Sequence, residues 1–116
     1  PGYIINTMLV PWLNAALSLV VNRVSSHQDV DRTWMICNKG TPPGPIGILD
    51  QVGFEVARNV FRLMAAAETD NPQYKKNIDY LEEHFISKGY TGALSGRGFY
   101  SYPDPEYLEP DFLKST

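Results

Sequence analysis

Apolar residues at Ile5, Met8, Leu9, Trp12, Ala16, Leu19, Val20 and Val24 recur at i, i+3, i+4 and i+7, the spacing of one helical face rather than of a strand. The pattern predicts a long first helix over 4–24. Pro11 lies inside it, and an internal proline removes one hydrogen bond and crowds the carbonyl four residues back, so a kink is expected near Thr7. Val10, Leu13, Ala15 and Leu17 carry apolar surface to other sides of the same helix. A helix with that many faces to hide needs more than one packing neighbour.

Further along, Ser25 and Ser26 stand three residues before Gln28 and Asp29, two overlapping capping patterns that open a second helix through Trp34 to about Cys37. The run Gly40-Thr41-Pro42-Pro43-Gly44-Pro45 is too rich in Pro and Gly for regular structure. Pro45 suits a first helical position, so a short third helix is expected from Pro45 to about Val52, closed by Gly53. Phe54, Ala57, Val60, Phe61, Met64 and Ala65 give a fourth helix that fades before Glu68, and Asp70-Asn71-Pro72 breaks the pattern. Ile78, Leu81 and Phe85 mark a fifth helix over 74–88, with Gly89 just past its end. Gly92, Gly96 and Gly98 surround Phe99-Tyr100, and the acidic tail from Pro103 to Thr116 reads as an irregular strap. The chain is thus expected to be all-α: one small bundle of about five helices, with residues 1–116 forming a single domain.

Composition narrows the partners. With 116 residues, 43% of them hydrophobic, the chain can bury one modest core. Ten basic against thirteen acidic residues give a net charge of -3, and Lys75-Lys76 is the only adjacent basic pair, so nucleic acid is not expected as a partner. No wholly apolar run approaches the roughly 18 residues of a membrane span, Met8 to Leu13 being typical, so no membrane partner is expected either. One cysteine, Cys37, rules out an internal disulfide and suits a reducing compartment, here taken as the cytoplasm. The opening Pro1-Gly2, without an initiator methionine and running directly into a helical pattern, suggests a piece of a longer protein. Such a piece would expose apolar surface once shared and tend to satisfy it by self-association.

Few residues advertise chemistry. His27, beside the capping serines, and His84, between Glu83 and Phe85, have no partners at metal-ligand or triad spacing, and both are expected at the surface. Cys37 is expected to be a small buried apolar residue. The glycines of 92–98 lack the order and the preceding strand of a phosphate-binding loop, so no cofactor is expected on this chain alone. Ser95 and Ser101 show no nucleophile elbow, and Lys39 and Arg97 are expected as solvated charges. No metal site is predicted. Leu9, Trp12, Leu13 and Ala16, with Phe61 and Met64, can serve either a core or a subunit interface.

Three blocks nevertheless stand out by order and spacing: Pro1-Gly2-Tyr3-Ile4-Ile5-Asn6, then Gly40 to Pro45 with Ile48-Leu49-Asp50 and Val52-Gly53, and finally Gly96-Arg97-Gly98-Phe99-Tyr100. Together they resemble the helical C-terminal domain of 3-hydroxyacyl-CoA dehydrogenases, including the 3-hydroxybutyryl-CoA enzymes, over nearly the whole chain. The resemblance implies a fold like the C-terminal domain of 6-phosphogluconate dehydrogenase, preceded in the whole enzyme by an NAD-binding Rossmann domain. It implies that Asn6 reaches across the interdomain cleft to the catalytic histidine of that other domain and to the substrate oxygen. It also implies a substrate wall of Pro42, Pro43, Gly44 and Pro45, an acyl-CoA substrate, and homodimerisation, for which Leu9, Trp12, Leu13 and Ala16 are the candidate contacts. The sequence departs from the family at Thr7 (usually Arg), Pro43 (often Met), Ile46 (an aromatic), Gly47 (Glu) and Leu94 (Lys). These changes leave open a relative acting on a hydroxy acid without CoA, such as a gulonate-type dehydrogenase, and a free-standing helical dimerisation module is the rival from another class.

Overall fold

The computed structural model describes residues 2–114; Pro1, at the head of the first block, and Ser115 and Thr116, at the end of the tail, lie outside the described residues. Five α-helices follow in order: α1 Gly2–Val21, α2 His27–Cys37, α3 Pro45–Val52, α4 Phe54–Ala67 and α5 Gln73–His84. Among the described residues there is no strand, only isolated bridges joining Arg97 to Gly92 and to Ser101. α1 runs through Pro11 without a break. Ser26 caps α2 as its sequence promised, its hydroxyl accepting the Asp29 N–H at 3.1 Å. α3 has the bounds read from Pro45 and Gly53, and Gly53, at φ +91°, turns the chain directly into α4.

The fifth helix is shorter than its apolar pattern suggests. It stops at His84, and a 3-10 turn, Ile86–Lys88, carries the chain to Gly89 at φ +81°. Phe85 leaves helical geometry to place its ring 5.2 Å from Phe54 and 4.5 Å from Phe99. Aromatic burial against two distant partners outweighs one more turn of α-helix.

Two hydrophobic clusters hold the domain. Leu13, Leu17, Leu49, Phe54, Phe61 and Leu81 centre the first, which joins α1, α3, α4 and α5. Each such side chain contributes about 1.5–3 kcal/mol on leaving water. The second joins α1, α2 and α3 through Ala16, Val30, Met35 and Ile46, and it is completed by Tyr100 of the third motif and, from the tail, by Tyr107 and Phe112. The tail, read from sequence as an irregular strap, carries two short 3-10 turns, Glu106–Leu108 and Phe112–Lys114, and is integral to the interior. Buried Arg32 on α2 pins it, donating from Nε to the Phe112 carbonyl and laying its guanidinium 4.5 Å from the centre of the Phe112 ring.

One polar seam crosses the first cluster. Asn77 of α5, fully buried, donates to Asn14 Oδ1 at 2.8 Å and to Ser18 Oγ at 3.1 Å, while Gln73 donates to Asn77 Oδ1 at 2.8 Å. Satisfied amides in an apolar interface cost little and fix the register of α5 on α1.

By length and composition alone, Tyr3–Val21 is apolar enough to cross a bilayer, which counting uninterrupted apolar runs did not register. The inner half of α1 spends that apolarity on Val10, Leu13, Ala16 and Leu17 inside the domain. Its outer half does not: Tyr3, Ile4, Ile5, Asn6, Thr7 and Met8 are all exposed.

Candidate functional site

Asn6 sits on that outer half, one residue from Ile5 and one turn before Leu9 and Val10. Its neighbour Thr7 turns its hydroxyl back onto the Tyr3 carbonyl at 2.7 Å, so it presents no free donor beside Asn6. No charged residue occurs between Gly2 and Asn22. Asn6 is thus a lone carboxamide, able to donate and accept at once, standing on a neutral and largely apolar helix face.

Beside it, Ile5, Met8, Leu9, Trp12 and Trp34 line an apolar trough of about 440 Å³. Trp12 and Trp34 meet edge to face at 4.9 Å on its floor. A second apolar groove, between α1 and α2, continues past Ala15, Leu19 and Val24. Of the four residues expected at a subunit interface, Leu9 and Trp12 keep exposed surface, but Leu13 and Ala16 are 4% and 7% exposed and belong to the chain's own clusters. Packing inside the bundle claims them because they face α3 to α5 and α2 respectively. Exposed Ile5, Met8 and Trp34 take their place in the trough.

The proline–glycine loop also divides. Pro42 is exposed and Pro43 half-exposed, and the peptide bond between them is cis. Gly44 and Pro45 are buried in the domain's own packing, and Pro45 also lines the groove between α1 and α2. A Cβ on Gly44 would sit 2.5 Å from the Asp31 Cα, so only glycine lets the loop press this closely on α2. The contact serves a hydrogen-bond purpose: Asp31, fully buried, accepts the N–H groups of Ile46 at 2.7 Å and Gly47 at 2.8 Å, and the Tyr100 hydroxyl at 2.8 Å. The carboxylate takes two of the otherwise orphaned donors at the start of α3.

Asp50 does the same for the third motif. Its carboxylate accepts the N–H groups of Phe99 at 2.9 Å and Tyr100 at 3.0 Å, and the Tyr102 hydroxyl at 2.9 Å. A Cβ on Gly98 would fall 2.6 Å from Asp50 Cγ, so the glycine clears the way for the carboxylate. Tyr100 is held at both ends, by Asp50 at its amide and by Asp31 at its hydroxyl. Asp31, Asp50, Tyr100 and Tyr102 were not foreseen as a unit. The available signal was a carboxylate in an apolar helix, Asp50 after Ile48-Leu49; Asp31, between Asp29 and Arg32, gave no such signal.

Burial pushes both carboxyl groups from the usual value of 3.8 to about 6, against the opposing pull of their N–H and tyrosine donors. Burial, with the neighbouring carboxylates, raises Tyr100 and Tyr102, so both hydroxyls stay protonated donors. A carboxyl that holds its proton more tightly folded than unfolded gains stability as pH falls from about 6 towards 3.8. His27 works the other way. It is half-buried against Tyr100, at 4.9 Å, and Phe99, at 5.4 Å, rather than free at the surface, because α2 begins under the tail. Burial lowers its pKa, with Glu106 opposing, so its contribution is lost as pH falls below 6.5. With the histidine removed in a His27→Gln variant, refolding at pH 6 should take up protons. Refolding in weak buffer with an indicator dye measures this, and zero uptake would show the carboxyls titrating normally.

Other expected residues fall as follows. Cys37 is exposed rather than buried, since α2 turns that face outward. His84 is exposed beside the Tyr80 ring at 4.5 Å. Lys39 is exposed, and Arg97 lies over Tyr90 at 4.1 Å. The glycine turn at 92–98 spends its own donors internally: Gly92 and Arg97 bond each other, Gly96 donates to Ala93, and Gly98 to Tyr100. A dinucleotide phosphate would find no free cradle there.

This helical bundle, whose second and third motifs close on buried Asp31 and Asp50, matches a known family model. The 3-hydroxyacyl-CoA dehydrogenase C-terminal domain covers residues 2–102. The chain belongs to that family and forms its C-terminal domain. Mouse mitochondrial hydroxyacyl-coenzyme A dehydrogenase is 31% identical over 102 residues, 88% of this chain and 32% of that protein. Among solved structures, a diketoreductase acting on dicarbonyl compounds superposes with TM-score 0.74 and 38% identity, covering 87% of this chain and 33% of that one. (S)-3-hydroxybutyryl-CoA dehydrogenase from Ralstonia eutropha gives TM-score 0.65 and 26% identity, over 85% of this chain and 34% of the other. The chain thus spans about a third of the length of the relatives it matches.

Proposed function

We propose that this domain closes the substrate cleft of an NAD-dependent dehydrogenase that interconverts 3-hydroxyacyl-CoA and 3-ketoacyl-CoA. Membership of the family over residues 2–102, with Asn6 on the exposed half of α1, carries the reading. Asn6 supplies a carboxamide to the substrate oxygen and to the proton-accepting histidine of a nucleotide-binding domain elsewhere in the protein. The exposed edge of the loop, Pro42 with Pro43, forms part of the wall. The coenzyme supplies the hydride chemistry when bound, and its binding falls to that other domain.

Two subunits pair through the apolar trough of Ile5, Met8, Leu9, Trp12 and Trp34, a surface too apolar to favour water. The exposed single cysteine suits a reducing compartment, in keeping with a cytoplasmic protein. A second reading follows from the diketoreductase likeness: the carbonyl substrate is a free dicarbonyl compound rather than a thioester.

Full-length protein carrying this domain should oxidise 3-hydroxybutyryl-CoA with NAD, followed at the absorbance of NADH. Reduction of a β-dicarbonyl ketone with no turnover of the thioester would select the second reading, and inactivity on both would defeat the proposal. Light scattering should give a dimer, and a monomer at micromolar concentration would remove the pairing.

A further inference from the structure

The tail beyond Tyr102 lies outside the residues that the family model matches, yet it packs on the proline–glycine loop at Gly40 and on the first turn of α3, which follows the loop, at Gly47. At the near end, a Cβ on Gly40 would meet Leu113 Cδ1 at 3.3 Å. Just past the loop, in the first turn of α3, a Cβ on Gly47 would sit 2.9 Å from the Tyr107 ring and 2.7 Å from Pro43 Cβ. The Tyr107 ring and Pro43 thus close over Gly47 from two sides and leave no room for a side chain. Tyr107 is buried and fixed in turn: its ring stands edge-on to Tyr100 at 4.8 Å, Gln51 donates to its hydroxyl at 3.2 Å, and that hydroxyl donates to Tyr102 at 3.2 Å.

The loop has little backbone bonding of its own. Gly40 donates to Met35 and Thr41 to Asn38, after which the next helical donation is Ile48 to Gly44. Between those points Pro42 and Pro43 have no N–H to give, so their placement comes from side-chain packing. Gly44 packs on Asp31 of α2, while on the tail side Leu113 meets Gly40, and Tyr107 meets Gly47, against which Pro43 also rests.

We propose that Tyr107 and Leu113 are positioning residues for the Gly40–Gly44 loop and the first turn of α3 that follows it, and that through them they set how tightly the full-length enzyme holds its substrate. This rests on the reading of Pro42 and Pro43 as substrate wall. The tail touches no reacting atom in this scheme; it acts by fixing where the wall stands, and a loosened wall weakens binding before it slows chemistry.

The test uses full-length protein in four forms: Leu113→Ala, Tyr107→Leu, Tyr107→Phe and Pro42→Ala. Hydrogen exchange should quicken at the Gly40 and Thr41 amides in Leu113→Ala and Tyr107→Leu, while the core amides of Leu81 and Phe61 keep their protection. In the same two variants KM should rise about threefold to tenfold with kcat within about twofold. Tyr107→Phe keeps the ring over Gly47 and should restore wild-type KM. Should Tyr107→Leu prove unable to fold, Leu113→Ala, at a half-buried position, carries both readouts. Unchanged exchange and KM in the tail variants, with KM raised in Pro42→Ala, would overturn the positioning role alone. Faster exchange with KM unmoved in every variant, Pro42→Ala included, would overturn the link to substrate together with the wall on which it rests.

Discussion

Replacing Asp50 with alanine should cost the domain about 3 kcal/mol or more of unfolding free energy, enough to lower its melting temperature by roughly 10 °C. The change removes the acceptor for three donors at once, the amides of Phe99 and Tyr100 and the hydroxyl of Tyr102. A buried donor left unpaired costs about 1–3 kcal/mol. Part of this is returned, because a buried carboxylate whose pKa is raised to about 6 is itself costly to keep charged at neutral pH. The sum still favours a large loss, since Asp50 is 1% exposed and water cannot easily replace its oxygens. Tyr100→Phe is the matched control: it deletes only the hydroxyl bond to Asp31, keeps the amide bond to Asp50, and should cost about 1.5–3 kcal/mol, less than the loss of three donors' acceptor. Urea titration of the three proteins decides it. A loss in Asp50→Ala no greater than in Tyr100→Phe would mean that the third motif folds without its anchor.

The second large effect falls on turnover. On the proposed reading, Asn6→Ala in the full-length protein should lower kcat by about a hundredfold to a thousandfold, the size seen when one donor to a developing oxyanion is removed. Its stability should move by less than about 0.5 kcal/mol, because the side chain is exposed on α1. Initial rates with 3-hydroxybutyryl-CoA, alongside a melting curve, separate the two. A rate within twofold of the parent would take Asn6 out of the active site. A large fall in melting temperature would recast it as a structural residue.

The sequence spoke clearly wherever a short-range interaction sets the structure. Ser26 caps α2 through a residue three positions on, and Pro45 and Gly53 bound α3 by the backbone angles that each residue type prefers. The periodicity of α1 and α4 follows from which faces must leave water. Where two local rules competed, the outcome was harder to see: the apolar spacing of α5 runs on through Phe85, but contacts with Phe54 and Phe99 end the helix first. The site was half legible. Asn6 was placed on an exposed stretch by no local rule, and the resemblance supplied its candidacy. Gly44, which looks like loop surface, is sealed against Asp31.

By itself, then, the sequence determined the number, order and most bounds of the helices, because each depends on residues within a turn or two of one another. The tertiary structure alone decided what the charged and aromatic residues do. Asp31 meets Tyr100 across 69 positions and Asp50 meets Phe99 across 49, and Tyr107 of the tail closes over Gly47. Contacts at such separations leave no mark on local spacing, since any carboxylate or aromatic ring in the chain can make them once folding brings its partner near.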